Sequence, residues 1–518
     1  MKNSFFLVIP KQQNSPYRLQ EFDAKILQQW IDELPTANPE LSARLLQDLI
    51  MDLNTIAMPA QLRLETLELL RPSVLSIEDY IRSKLMASGF PKEDNDHRML
   101  KLLVSIAKEF TIGYWIVVKD QTKRDVSWFQ GKNVALAIQR SIKGLNSIVI
   151  NFFIMGMPVP DWVWMDLHGF YKLSVKIKKN ATQVANDSGQ FNKTCSPEDC
   201  YLQIVLLSLA DPTGLMQKEV LVVYRFIETI SSLVSLKSAP VSQPVQCFIS
   251  TEEDAAPCFQ SERDIDPESA LLYIDFTKLY KAFAQKTIMI SPSESRFNTI
   301  DVIRNTMEKP SAELLDYLMQ RWSGINPQNI PLFADRLDRY LAIGLIPAFN
   351  LQKSTKISTE IDFEFLVQSQ SSSLLSCAFT KTGVLSVGSL VSLRKADSEE
   401  NTRLLGIVDK LIVSKEKGKI IFGVRMLAHQ CAAVVYLPLE PRKNEIPKRA
   451  LFYSTGEKDK DGYIILDTSI FKDGDAIRLF VNQENFVVIM LVHKKNIGLG
   501  YWQFECHKMT GLESTSAS

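Results

Sequence analysis

The chain has 518 residues, of which 46% are hydrophobic and 23% are charged. This length exceeds one ordinary hydrophobic core, so we expect two or three domains. The 59 basic and 59 acidic residues cancel, and a neutral chain has no global field that attracts nucleic acid or an anionic membrane. We therefore predict neither nucleic-acid binding nor membrane insertion.

Targeting and metal-binding signals are weak. The N-terminal sequence MKNSFFLVIPKQQ has a five-residue apolar run before Pro10, which is too short for the apolar core of a signal peptide. The seven cysteines are scattered, and only Cys195 and Cys200 are close in sequence. No second Cys or His pair completes a metal-ligand set. We expect a cytoplasmic protein with reduced thiols, no metal and no cofactor.

Apolar residues recur at helical spacing from residue 17 to about 238, and we assign 1–238 to a helical region. In EFDAKILQQWIDEL, residues such as Phe22 and Ile26 fall on one helical face. Asn38 followed by Pro39 is typical of a helix start. Further helices are predicted at 59–71, 76–88, 97–118, 132–155, 161–178, 199–210 and 215–236.

One helix pair has a weak repeat signature. Trp164, Leu167 and Tyr171 match the W-x2-L-x3-Y start of a tetratricopeptide pair, although His168 replaces the expected glycine. The core of an ordinary helical hairpin explains the same residues, and in both cases they should be buried. A stacked, tetratricopeptide-like bundle would offer a groove for a protein partner.

The periodicity changes in the second half of the chain. Residues 239–350 indicate a small α+β connector, with helices at 310–323 and around 331–346. From 351 to 510, ten short segments of alternating apolar and polar residues are separated by turns, which is typical of an antiparallel barrel or sandwich. The tail 511–518 is predicted to be disordered.

No catalytic motif is recognisable. The sequence lacks a GxGxxG motif, a P-loop, a nucleophile elbow, an HExxH motif and an EF-hand loop. The five histidines are dispersed, without companion ligands at recognisable spacing. The Lys-rich stretch 415–419 is interpreted as a solvated turn. We therefore predict that the chain is not an enzyme.

The sequence RLLGIVDKLIVSKEKGKIIFGVRML, at 403–427, predicts two alternating strands around that turn. With VGSLVSLR, at 387–394, it resembles the later strands of a PilZ domain, a six-stranded antiparallel barrel that binds cyclic di-GMP. The overall order is similar to long proteobacterial proteins with a helical N-terminal region and a C-terminal PilZ domain, some described as molecular chaperones. The resemblance implies a multidomain α + β chain: helical region, α+β connector, and a PilZ-type β-barrel with extra strands.

The resemblance also implies a ligand site, but its motifs are degenerate. Binding-competent PilZ domains have an RxxxR element before the barrel and a (D/N)xSxxG element near the second strand. Here the nearest basic pair is Arg336 and Arg339, spaced RxxR and predicted to lie on a helix. The second element corresponds to QSQSSS, in which Gln368, Gln370 and Ser373 replace the acid or Asn, the Ser and the Gly.

Two classes of function therefore remain open. The first is a cyclic-di-GMP receptor or adaptor that couples the barrel to a protein-binding helical region, including a divergent member that has lost the ligand. The second is a ligand-independent scaffold or chaperone-like interaction protein. Loss of one correctly placed Arg costs about 2–5 kcal/mol where it pairs a buried phosphate. The two classes differ in whether basic side chains, such as Arg394 and Arg403, converge on one mouth of the barrel.

Overall fold

A computed structural model describes residues 5–122, 131–186, 194–262, 270–288, 295–297, 310–327, 331–333, 335, 337–353, 364–397, 402–454, 462–480 and 485–509. Within these residues, a helical region leads into a small sheet and then into two closed β-barrels. The predicted disordered tail, 511–518, lies outside the described residues.

The helices follow the predicted apolar periodicity closely. Asn38 caps α3, accepting a hydrogen bond from the Leu41 N–H, and Pro39 is the first helical residue, as predicted. The described helices are α1 (Pro16–Gln20), α2 (Ala24–Asp32), α3 (Pro39–Thr55), α4 (Ala60–Leu85), α5 (Asp94–Thr122), α6 (Gly131–Ile154), α7 (Val163–Lys176), α8 (Pro197–Leu209), α9 (Gln217–Ile230), α10 (Thr277–Ala284), α11 (Ala312–Trp322) and α12 (Leu345–Lys353).

Helix α4 corrects one prediction. Separate helices at 59–71 and 76–88 are wrong, because α4 continues through Pro72. Proline removes one backbone donor and disfavours a helix interior. Leu70 and Val74, on either side of it, are buried in the helical core, so tertiary packing outweighs the local penalty.

Helix α6 is the centre of the helical region. It packs against α4, α5, α7, α8 and α9, and residues on most of its faces are buried. In a linear repeat stack each unit contacts only its neighbours. The described helices of this region therefore form a bundle around α6.

The residues of the weak repeat signature lie in the core of this bundle. Trp164, Leu167 and Tyr171 on α7 are all buried, as predicted. His168 between them is also buried, with Nδ1 2.6 Å from the Tyr201 hydroxyl and Nε2 3.0 Å from a main-chain carbonyl. Burial lowers the pKa of His168 to about 4, so this histidine is a neutral core residue with both nitrogens partnered.

The described part of the connector contains short strands, the helices α10 and α11, and the start of α12. A four-stranded antiparallel sheet has the order β3-β6-β4-β5, and β1 pairs with β2 inside the helical region. The strands are β1 (Val184–Ala185), β2 (Thr194–Cys195), β3 (Ser235–Lys237), β4 (Cys247–Ser250), β5 (Cys258–Phe259) and β6 (Leu271–Asp275).

The helix predicted around 331–346 is wrong. Residues 339–343 form a strand, and the helix α12 begins only at Leu345. The sequence RYLAI alternates between the two faces of a barrel wall, with Leu341 in the barrel core, and pairing with two neighbouring strands decides its conformation. The first barrel therefore begins inside the segment that the sequence assigned to the connector.

Both barrels have six antiparallel strands, so the prediction of an antiparallel barrel is confirmed, and the predicted extra strands form a second barrel. Going round the walls, the orders are β7-β8-β9-β12-β11-β10 and β13-β14-β15-β18-β17-β16, which is the same arrangement twice. The strands are β7 (Arg339–Ile343), β8 (Phe365–Ser369), β9 (Leu374–Ala378), β10 (Leu390–Lys395), β11 (Leu404–Val413), β12 (Lys419–Ala428), β13 (Ala432–Pro438), β14 (Lys448–Tyr453), β15 (Tyr463–Leu466), β16 (Ala476–Phe480), β17 (Phe486–Gly498) and β18 (Tyr501–Lys508).

The helical region contacts the first barrel through main-chain atoms. The Phe90 N–H donates to the Leu385 carbonyl at 2.7 Å, and the reverse hydrogen bond is 2.9 Å. The Val413 N–H donates to the Gly156 carbonyl at 2.9 Å. These bonds join the turn after α4 and the end of α6 to the barrel.

The two barrels also pack directly on each other. Leu451, Ile465 and Ile497 of the second barrel belong to the same apolar cluster as the core of the first barrel. Helix α12 contacts β7 and β10 of the first barrel and β13 and β14 of the second. Among the residues described, no helix combines the length and apolar character needed to cross a membrane.

Candidate ligand site at one end of the first barrel

The strand register brings two predicted ligand elements to the same end of the first barrel. Arg339 opens β7 and lies opposite Lys395, the last residue of β10. Strand β8 ends at Ser369, and the hairpin that follows continues the QSQSSS stretch. The Leu332 N–H donates to the Ser372 carbonyl at 2.7 Å, which holds the segment before β7 against this hairpin.

Arg339 is almost completely buried, with 1% of its surface exposed. Its guanidinium stacks on Phe333 at 3.4 Å from the ring centroid and donates to the Leu337 carbonyl at 2.7 Å. It also forms a salt bridge with Asp335, and this hydrogen bond holds the pKa of Asp335 below its usual value. Asp335 stands four residues before Arg339, where an RxxxR spacing would place the first arginine.

Two polar atoms at this end are buried without a hydrogen-bond partner in the described part of the chain. They are Nε of Arg339 and Oγ of Ser369. Arg339 lies directly opposite Val367, and strand alternation puts Ser369 on the same face as Val367. A buried donor or hydroxyl without a partner costs free energy. Two on one face indicate a site for water or for a polar ligand.

Lys395 adds a second cation. Its Nζ is 3.5 Å from the Asp335 carboxylate, and its side chain is 54% exposed. Together, Arg339, Lys395 and Asp335 carry one net positive charge. An anion arriving at this end would therefore meet two cations, but it would compete with Asp335 for both.

The side chains of the QSQSSS stretch point to different faces of the barrel wall. Gln368 lies opposite Ser376, on the face of β8 away from Ser369. Gln370 turns back and donates to the Ser376 hydroxyl at 2.9 Å. The Ser373 N–H donates to Ser371 Oγ at 3.3 Å within the hairpin. The hairpin lies at the same end as Arg339, but Gln368 and Gln370 are both on the Ser376 face of the wall, away from Arg339.

Of the predicted arginines, Arg336 lies outside the described residues. Arg394 is opposite Tyr340 and stacks on its ring at 4.3 Å, so it lies on the other face of the wall from Arg339. Arg394 and Arg403 both donate to the Glu364 carboxylate, at 2.8 Å from Arg394 Nη2 and 2.9 Å from Arg403 Nη1. All three side chains are buried, and this triad stabilises the wall without facing the mouth.

The second barrel provides an internal comparison. It has the same strand order as the first barrel, but its first strand, AAVVYLP, contains no arginine or lysine. We call the end of the first barrel that carries Arg339 and Lys395 the cationic end. Because the two barrels share a strand order, these two cations are a feature of the first barrel and do not follow from the topology.

Residues 25–241 match a family described as the N-terminal domain of the cyclic-di-GMP receptor FimW. The matched range runs from α2 to just beyond α9 and thus contains the bundle around α6. The similarity to this family ends before the barrels and before the candidate site.

The curated cyclic-di-GMP receptor FimW of Pseudomonas aeruginosa is 26% identical to this chain over 320 residues. The aligned part is 61% of this chain and 51% of the relative, so the chain spans about half the length of the curated protein that it matches. No solved structure matches. The predicted resemblance to proteobacterial cyclic-di-GMP receptors is confirmed by these similarities, and the PilZ type of the barrels stays a prediction.

Proposed function

We propose that this chain is a non-enzymatic cyclic-di-GMP receptor or adaptor of PilZ type. In this proposal the end of the first barrel that carries Arg339 and Lys395 binds a phosphate of the ligand, and the helical region binds a protein partner. The similarity to the receptor FimW supports the class of function. We propose a cytoplasmic location, in keeping with the scattered cysteines of the sequence.

The observation that carries the proposal is the pair of buried polar atoms without a hydrogen-bond partner among the described residues, Arg339 Nε and Ser369 Oγ. Phosphate oxygens need cationic or N–H partners. Arg339 Nε is a buried donor without an acceptor, and Lys395 is a half-exposed cation at the rim. The Ser369 hydroxyl is able to donate a further hydrogen bond. A bound phosphate must either displace the Asp335 carboxylate from Arg339 or bind beside this negative charge.

A charge-reducing variant tests this site. Asp335→Asn removes the carboxylate that competes with phosphate for Arg339 and Lys395. We therefore expect the Asp335→Asn variant to bind cyclic di-GMP about fivefold more tightly than the unchanged chain does. Lys395→Gln should weaken binding by a similar factor and reduce its dependence on salt. Isothermal titration of the full chain measures both effects. Lys381→Gln, an exposed lysine of the same barrel, is the matched control and should leave the affinity unchanged.

Two results would refute a ligand site at the cationic end. The first is that neither the unchanged chain nor Asp335→Asn gives heat at high micromolar cyclic di-GMP. The second is equal weakening by Lys381→Gln and Lys395→Gln, which would show non-specific attraction instead of a site.

A second candidate function is a ligand-independent scaffold. The observation that favours it is that each described arginine near this end already has a carboxylate partner: Asp335 for Arg339, and Glu364 for Arg394 and Arg403. A scaffold of this kind would use the barrels only to dock a protein, and Asp335→Asn would then create no affinity for cyclic di-GMP.

A further inference from the structure

A cavity of about 280 Å³ lies where the helical region meets the two barrels. Its walls come from the turn after α4, the end of α6, the start of α9, the segment before β10, strand β11, and the turn between β17 and β18. It shares no lining residue with the Arg339 end of the first barrel. The cavity therefore belongs to the junction and is separate from the site proposed above.

The lining is mostly apolar but has one charged side chain. Eight apolar side chains form most of the wall: Met86, Phe90, Phe153, Leu215, Met216, Val387, Leu411 and Leu499. Lys218 is the charged member, and no carboxylate contributes to the lining. Lys218 is exposed. The structure gives its ammonium no salt bridge within the described residues, so it is free to pair with an anion.

The other polar side chains of the wall are either short or already engaged. Gln217 Nε2 donates to the Ile154 carbonyl at 2.9 Å and to the Leu85 carbonyl at 3.3 Å. The Thr213 hydroxyl donates to Asp211. These contacts fix the polar side of the cavity around Lys218 and leave the interior apolar.

The cavity is partly open to solvent, because exposed residues such as Ala87 and Lys218 contribute to its lining. Its volume equals about nine water molecules of liquid, at roughly 30 Å³ each. Ligand pockets begin near this size, and they occur preferentially between domains.

We propose that this cavity binds a small organic anion with an apolar body of roughly ten heavy atoms, of the medium-chain carboxylate class. The apolar body fills the space between Phe90, Phe153 and Leu411, and the carboxylate pairs with Lys218 at the rim. Such a ligand contacts the helical region and both barrels at once, so its binding stabilises their junction. This inference is independent of cyclic di-GMP binding.

Decanoate is the probe, and decanol is its uncharged counterpart. Titration of the full chain without cyclic di-GMP should show saturable decanoate binding below about 1 mM, with a rise in the thermal midpoint that follows ligand concentration. Decanol should bind more weakly because it lacks the charge. Absence of decanoate binding up to this concentration overturns the proposal.

Two variants locate the binding. Lys218→Gln should weaken decanoate binding about fivefold and leave decanol binding unchanged, whereas Lys101→Gln, at an exposed position on α5, should change neither. Ala87→Phe projects a ring into the cavity from its rim and should abolish binding of both compounds. Ala24→Phe, at an exposed alanine on α2, is the control for added apolar surface. Undiminished decanoate binding by a folded Ala87→Phe variant would place the site elsewhere and refute the inference.

Discussion

Replacing Glu364 by glutamine is expected to lower the free energy of unfolding by about 3–5 kcal/mol. The Glu364 carboxylate accepts hydrogen bonds from two arginines, and its side chain is 6% exposed. Glutamine keeps the size of the side chain but removes the charge, so Arg394 and Arg403 would stay buried without a counter-ion. Urea unfolding followed by circular dichroism in the β region measures the loss.

An exposed ion pair in the same barrel serves as the control. Glu416 lies 3.1 Å from Lys419 and is 72% exposed. Glu416→Gln should therefore cost less than about 1 kcal/mol. If Glu364→Gln costs no more than Glu416→Gln, the buried triad does not contribute to stability in the way that its geometry indicates.

A combined variant separates lost charge pairing from lost packing. Buried ion pairs replaced entirely by apolar residues are often as stable as the original. Glu364→Leu with Arg394→Met and Arg403→Met should thus recover most of the stability that Glu364→Gln loses. Failure to recover it would assign the effect to packing geometry and not to uncompensated charge.

Replacing Trp164 by alanine is the second large perturbation, with an expected cost of about 3–5 kcal/mol. Trp164 is 5% exposed, and its ring is inclined by 30° to the His168 ring, with centroids 6.1 Å apart. Truncation removes apolar burial and leaves a cavity beside α7. Thermal and urea unfolding monitored by helical circular dichroism should both show the loss.

Tyr17 provides the matched aromatic control, because it is 77% exposed. Tyr17→Ala should change the free energy of unfolding by less than about 0.5 kcal/mol. A small effect for Trp164→Ala, comparable with that of Tyr17→Ala, would contradict the position of Trp164 in the core and suggest a partner surface on α7.

The periodicity of apolar residues predicted most of the helices and strands, because an element that buries one face repeats its apolar residues with the period of that element. The switch from helices to strands and the β11–β12 hairpin were readable in this way. The two errors, at Pro72 and at 339–343, have a common cause. At Pro72, packing in the helical core around α4 outweighs the tendency of proline to end a helix. At 339–343, pairing with the strands on both sides of β7 outweighs the predicted helical conformation.

The candidate site was only partly readable from the sequence. The resemblance to PilZ domains indicated Arg339 and the QSQSSS hairpin. The fold places both at one end of the barrel, but Gln368 and Gln370 lie on the face away from Arg339. Ser369 was missed although it lies inside that stretch, because its role depends on which face of β8 it occupies. The Glu364 triad joins residues 30 and 39 positions apart, and no local pattern reveals such a pairing.

The main-chain hydrogen bonds between the helical region and the first barrel have an evolutionary consequence. Every amino acid except proline supplies the N–H groups that Phe90, Leu385 and Val413 use there. Substitutions accumulating over long divergence can therefore change the side chains on both sides of the contact and still leave its hydrogen bonds in place. The way the two parts are joined can in this way be inherited long after the sequences that make the contact have ceased to look alike.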